Sequence, residues 1–249
     1  MDIKRVLTGV IGFPVIAAIL IFSNTYIFDG IVAIIALIAV HEFYNSFIVT
    51  KKAKPVTLLG YISCIGIALI HIIPKEYLPL IVTLLIPAII LILFAESIFS
   101  KMKTNIIDIS VTLFGMAYVL VFFSFIALIR GLNNGNLLVW YIFMAAWGTD
   151  ILAYLVGKYL GKHKFSEISP KKTIEGCIGG LIGAVVFVLI YTAFLNKVFN
   201  TNISYILMTS YAIIWSILGQ IGDFAASTVK RYTGIKDYSN LLPGHGGML

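Results

Sequence analysis

Eight stretches of this chain, at about 7–23, 27–49, 56–73, 78–99, 106–129, 137–160, 176–196 and 203–228, run almost without charge. Each is close to the ~20 residues a helix needs to cross a hydrocarbon core. In lipid the backbone must satisfy its own polar groups, so runs of this length can cross only as helices. The composition agrees: 60% of the residues are apolar and 12% are charged, against about 25% charged in soluble domains. The sequence therefore predicts an all-α integral membrane protein of about eight transmembrane helices. The longest polar connection, roughly Gly161 to Glu175, is too short for a soluble domain, so residues 1–249 are read as one polytopic membrane domain.

The connections between these runs carry charge unevenly. Lys4, Arg5, Lys51, Lys52, Lys54, Lys101, Lys103, Lys158, Lys162, Lys164, Lys171, Lys172, Lys230, Arg231 and Lys236 fall on one side, and only Lys75, Arg130 and Lys197 on the other. Under the positive-inside rule this places both termini in the cytoplasm. The net charge of +7 is then a property of loops beside anionic headgroups and calls for no nucleic acid. The first run lacks a small-x-small cleavage site and leads straight into another span, so it is read as a retained helix. Cys64 and Cys177 lie in or beside apolar runs without metal-ligand spacing and are read as packing residues.

Polar residues that could carry chemistry crowd into 137–249, which leaves 1–136 mainly as scaffold. Asp223, Ser227, Lys230 and Arg231 stand at i, i+4, i+7 and i+8 and share one helical face at the end of the last span. Carboxylate and hydroxyl oxygens suit Mg²⁺, and the two cations beyond them suit phosphate. Lys236 and Asp237 follow, then Pro243-Gly244-His245-Gly246-Gly247, a turn whose glycines let backbone N–H groups approach an anion. Upstream, Asp150, Tyr154, Gly157, Lys158 and Gly161 form a polar, small-residue face suited to another helix or a cavity. The following loop, Ser169-Pro170-Lys171-Lys172-Thr173-Ile174-Glu175-Gly176, leads into the next span with a helix N-cap. Glu42, near the cytoplasmic end of the second span, either lines the site or pairs with Lys51.

Both blocks resemble the phosphatidate cytidylyltransferases, also called CDP-diacylglycerol synthases. The segment from Ser227 to Met248 follows that family's Ser-x-apolar-Lys-Arg-x4-Lys-Asp and apolar-Pro-x-His-Gly-Gly-apolar signature. Residues 150–158 and 169–176 follow its Asp-x-x-Ala-Tyr-x-x-Gly-Lys helix and Ser-Pro-Lys-Lys-Thr-x-Glu-Gly loop. The family signature closes with Asp-Arg-x-Asp and a further helix; the sequence ends at Leu249, so these, including a ninth helix, are expected to be missing.

The resemblance implies transfer of CMP from CTP to phosphatidate, with release of pyrophosphate, at a multi-pass cell-membrane site facing the cytoplasm. It implies Mg²⁺, alone or with a second cation, held by Asp223 with Ser227 beside it; the obvious second carboxylate is the first Asp of the closing Asp-Arg-x-Asp, for which Asp237 is the only nearby replacement in this sequence. Lys230 and Arg231 would then meet lipid or nucleotide phosphates, while Lys171, Lys172 and Thr173 hold the triphosphate. Lys236, Asp237, His245, Gly246 and Gly247 would complete the cytoplasmic wall, with Asp150 as polar support. The expected partners are CTP, phosphatidate and membrane lipids; a homodimer is compatible with this reading. Two alternatives stay open here: a CTP-dependent lipid-alcohol kinase, and a secondary transporter using Asp150 and Asp223 for a coupling ion.

Overall fold

The computed structural model describes residues 3–166, 169–170 and 172–249. Eight helices follow one another: α1 (Ile3–Phe22), α2 (Thr25–Val49), α3 (Thr57–Ala68), α4 (Leu78–Phe99), α5 (Ile106–Arg130), α6 (Gly135–Leu160), α7 (Ile174–Val198) and α8 (Tyr205–Thr233). No strand occurs among the described residues, only an isolated bridge between Lys164 and Thr173. Among the described residues six helices, α2 and α4 to α8, are long and apolar enough to cross a membrane. The chain divides into two compact units, Met1–Asn136 with Thr233–Leu249, and Leu137–Tyr232.

In the first unit, α2 packs against α3 and α5 around Phe43 and Tyr44, both fully buried. The Tyr44 ring needs glycine on both sides: a Cβ on Gly60 or Gly115 would come within 2.5 Å of it. Its hydroxyl donates to Thr112 O at 2.8 Å, so the phenol keeps a partner away from water. Asn105 caps α5 in a reciprocal box with Asp108. Asp108 also accepts the Lys54 N–H, and Thr112 Oγ1 accepts that of Val56 at 2.8 Å.

The third apolar run departs from expectation, because only 12 residues of it are helical. That helix is about 18 Å long, short of the ~30 Å a crossing needs. Its flanks make up the difference. Lys54 and Val56 are tied to the start of α5, and at the other end His71 Nδ1 lies 2.7 Å from Asp29 Oδ2, at the start of α2. Extended residues before α3 and turns after it thus carry the chain along most of α2 and α5. The Asp29 end is polar: the Arg130 guanidinium donates to Leu20 O and Ser23 O, at the end of α1 and just after it, and its carbon lies 5.1 Å from the Phe28 ring centre.

In the second unit, α6 and α7 approach so closely that glycine is required on both. A Cβ on Gly183 would lie 2.0 Å from Gly148 O, and one on Gly179 would lie 2.6 Å from Val156 Cβ. Tyr141, Ala145, Ala184, Val188, Tyr191, Leu195, Met208 and Ala212 form the apolar core beyond that contact. A buried polar chain joins the helices: Thr149 donates to Ser216 Oγ at 2.9 Å, and Gln220 Nε2 donates to Cys177 O at 3.2 Å. Gln220 Nε2 also lies 3.3 Å from Ser216 Oγ, which links the two contacts into one chain.

Candidate active site

The loop from α6 to α7 is folded back on itself. Phe165 N–H donates to Lys172 O and Ile174 N–H to His163 O, both at 2.9 Å. Glu175, in the first turn of α7, fastens that fold by accepting from the backbone N–H groups of Lys162 and His163, with His163 Nδ1 2.6 Å from its Oε1. Thr173 is the N-cap of α7: its hydroxyl accepts the Gly176 N–H at 3.1 Å. The same hydroxyl is hemmed in by Gly157, Gly161 and Gly176, where a Cβ would come within 3.2 Å or less of it. Thr173, expected beside a triphosphate, therefore serves first as the joint between α6 and α7.

This arrangement delivers Lys172 to Asp223. The ammonium is 2.7 Å from Asp223 Oδ2 and 4.4 Å from the centre of the Phe224 ring, which stacks on Phe165 at 4.7 Å. Asp223 remains 61% exposed at the side chain, so the pair is open to an incoming ligand. Ser227, Lys230 and Arg231 continue the same face toward the end of α8, as the spacing predicts. Asp150 is exposed on α6, while Gly148, Gly157 and Gly161 are the residues that meet their neighbours closely. Exposed Tyr154 has the Lys158 ammonium 5.8 Å from its ring centre, so the expected small-residue face is divided between packing and surface. Lys171 lies outside the described residues.

The remaining signature residues belong to the first unit. Tyr238 N–H and Ser239 N–H both donate to Gly246 O, and His245 N–H to Leu242 O. Gly244, Gly246 and Gly247 take φ of +85°, +85° and +131°. Side chains rarely adopt such backbone conformations, which is why this turn is glycine-rich. A Cβ on Gly246 would lie 2.6 Å from Asp237 Oδ1, so the carboxylate lies against bare backbone. Lys236 and Asp237 are exposed at the start of the turn. Thr8 donates to Pro243 O at 3.2 Å and lies 3.0 Å from His245 Nδ1. Burial, with Tyr118 and Glu42 adding to it, pushes the Tyr238 phenol above its ordinary range.

Glu42 pairs with neither Lys51 nor any other cation among the described residues. Its carboxylate accepts from the Ser239 hydroxyl and from the N–H groups of Met248 (2.8 Å) and Leu249 (2.9 Å). Thr8 gave no sequence signal, and the task of Glu42 was hidden because its partners lie about two hundred positions away. Phe165, a lone apolar residue in a polar loop, and Phe224, one of many apolar residues in the last span, likewise carried no signal.

Among the described residues no three His, Cys, Asp or Glu side chains converge as a ready metal cage. Mg²⁺ does not need one, since it commonly takes one or two carboxylates, substrate phosphates and water. An exposed hard oxygen donor such as Asp223 fits that habit.

The profile of the cytidylyltransferase family matches residues 3–249. The chain is 35% identical over 254 residues to the phosphatidate cytidylyltransferase of Staphylococcus aureus (strain COL), an alignment covering 98% of this chain and 91% of that protein. Against the phosphatidate cytidylyltransferases of Staphylococcus haemolyticus (strain JCSC1435) and Staphylococcus saprophyticus the identity is 33% and 32%, with the same coverage. With the signature in place, and a match that runs nearly end to end, the chain belongs to the cytidylyltransferase family.

Proposed function

We infer that this chain transfers CMP from CTP to phosphatidate, giving CDP-diacylglycerol and pyrophosphate. Family membership over nearly the whole length supports the reaction class. The observation in the fold that carries the reading is the Lys172–Asp223 pair, held open beside Ser227, Lys230 and Arg231.

The chemistry asks little of a general base. A phosphatidate oxygen, already ionised near neutral pH, forms a bond to the α-phosphorus of CTP while the bond to the bridging oxygen of pyrophosphate breaks. Positioning and charge neutralisation are what such a transfer needs. Asp223 would hold Mg²⁺, which when bound would draw charge from the triphosphate; Asp237 enters as a second metal ligand only as the replacement for the Asp of the closing signature. Lys172, poised on Asp223, is placed to exchange that carboxylate for a phosphate oxygen. Lys230 and Arg231, at the polar end of α8, suit phosphates at headgroup depth, Arg by its planar fork and Lys as a point charge.

The cytoplasmic placement of both termini and of the site is part of the same proposal. Seven helices have the length of a crossing, and the flanks of α3 extend the remaining run to comparable reach, which supports eight crossings. The charge bias then puts Lys75, Arg130 and Lys197 outside.

The test is transfer from labelled CTP to phosphatidate in detergent micelles with Mg²⁺. α-Phosphorus label should enter the lipid and γ-label should leave as pyrophosphate, and Asp223→Asn should abolish both. A folded protein that puts γ-label into a lipid alcohol, or labels no lipid, would overturn the assignment.

A further inference from the structure

Glu42 is 3% exposed on α2, a helix read here as a membrane crossing. A buried carboxylate is expensive unless its oxygens are satisfied, and its hydrogen bonds all go to one segment. One oxygen takes the Ser239 hydroxyl; the other takes the two consecutive N–H groups of Met248 and Leu249. The acid thereby joins the two ends of the Ser239–Met248 loop, whose own backbone is crossed by Tyr238 and Ser239 donating to Gly246 O. Gly247 makes the approach possible, because a Cβ there would lie 2.8 Å from Glu42 Oε2. Asp237 lies just before this loop and His245 within it, the latter steadied by Thr8.

We propose that Glu42 is a positioning residue that clamps the signature loop, fixing where Asp237 and His245 are presented without touching the reacting atoms. The proposal rests on the reading that this loop serves CMP transfer. It makes a distinction that a metal ligand or general base would not obey: Glu42 works through acceptor geometry, so its charge is dispensable. In Glu42→Gln the amide oxygen can take both backbone N–H groups while its NH₂ donates to the Ser239 oxygen. In Glu42→Ala three donors lose their acceptor.

The experiment uses the full chain in micelles and reads two quantities, hydrogen exchange of the 236–249 amides and kcat/KM for CMP transfer. In Glu42→Ala the Met248 and Leu249 amides should exchange at least ~10-fold faster, with kcat/KM reduced on the order of 100-fold. Glu42→Gln should stay within about threefold of wild type in both, since it keeps the acceptor where it is needed. Ser239→Ala loosens the loop from its other end, in the same direction by a smaller factor, and does not depend on the Ala variant folding. Unchanged exchange in both Glu42→Ala and Ser239→Ala overturns the clamp. Glu42→Gln as inactive as Glu42→Ala, with its loop still protected, overturns it in favour of a charged role in the chemistry. Wild-type protein that is folded but transfers no CMP would strike the functional reading instead, while the exchange data still decide the clamp.

Discussion

Gly183→Ala tests how the second unit is built. A methyl at 183 would lie 2.0 Å from Gly148 O and 2.8 Å from Leu152 Cβ. Non-bonded contacts settle near ~3.5 Å, so α6 and α7 must part locally by about 1.5 Å. A gap of even 0.5–1 Å forfeits roughly a quarter to a half of each dispersion contact lining it, and overpacked sites typically lose 1–3 kcal/mol. A loss of about 2–3 kcal/mol is expected, which for a chain of this size lowers Tm by about 5–10 °C. Gly148→Ala should behave alike, since its Cβ would lie 2.4 Å from Gly183 O. The double variant should lose clearly less than the sum, because helices already parted for one methyl admit the second. Gly219→Ala is the control: nothing lies within 4 Å of that Cβ, so it should be neutral or gain up to ~1 kcal/mol of helix propensity. Thermal unfolding in detergent at one scan rate gives all four values. A Gly183→Ala protein melting within a degree of wild type, or strictly additive losses, would refute the close-contact account. Transfer should fall with Tm, because the same approach seats Thr173 against Gly157 and Gly161.

Lys172→Met should lower kcat/KM for CMP transfer on the order of 100-fold, and Lys172→Arg much less, since the cation is needed more than its shape; equal rates for Met and wild type would remove Lys172 from the site. Arg130→Met should destabilise by about 2–3 kcal/mol, because it strips the carbonyls of Leu20 and Ser23, at the end of α1 and just after it, of a charged donor; a Tm within a degree of wild type would refute this. The Tyr238 phenol titrates above its ordinary value of 10.0, so its contribution to loop docking is complete below that pH and is lost as pH rises through the higher folded value. Protease cleavage within 236–249, normalised to an unstructured peptide of the same sequence, should accelerate as the pH rises above 10.0 in wild type, and this extra susceptibility should be absent in Tyr238→Phe.

What the sequence determines by itself is whatever is local or periodic. Runs of apolar residues can resolve their backbone polarity in lipid only as helices, so each of the eight runs contains a helix, the third one a short one. The i, i+4, i+7, i+8 spacing likewise places Asp223, Ser227, Lys230 and Arg231 on one face of α8 whatever surrounds it. The glycines of 244–247 announce a turn because only glycine takes those φ values easily.

Tertiary structure decided the pairings, since a side chain's partner is set by how helices stack and not by its neighbours in sequence. That is why Lys172 is distinguished from the other loop lysines by reaching Asp223, and why Thr173, a cap the local sequence already suggests, is also wedged against Gly157 and Gly161 of α6. It is also why the third run is a short helix with long flanks: its ends are held by Asp108, Thr112 and Asp29, each from a distant helix. Glu42 shows the limit most plainly. An acid near the end of a span reads as an interfacial ion pair, yet packing buries it among donors from the far end of the chain, and that burial gives it its task.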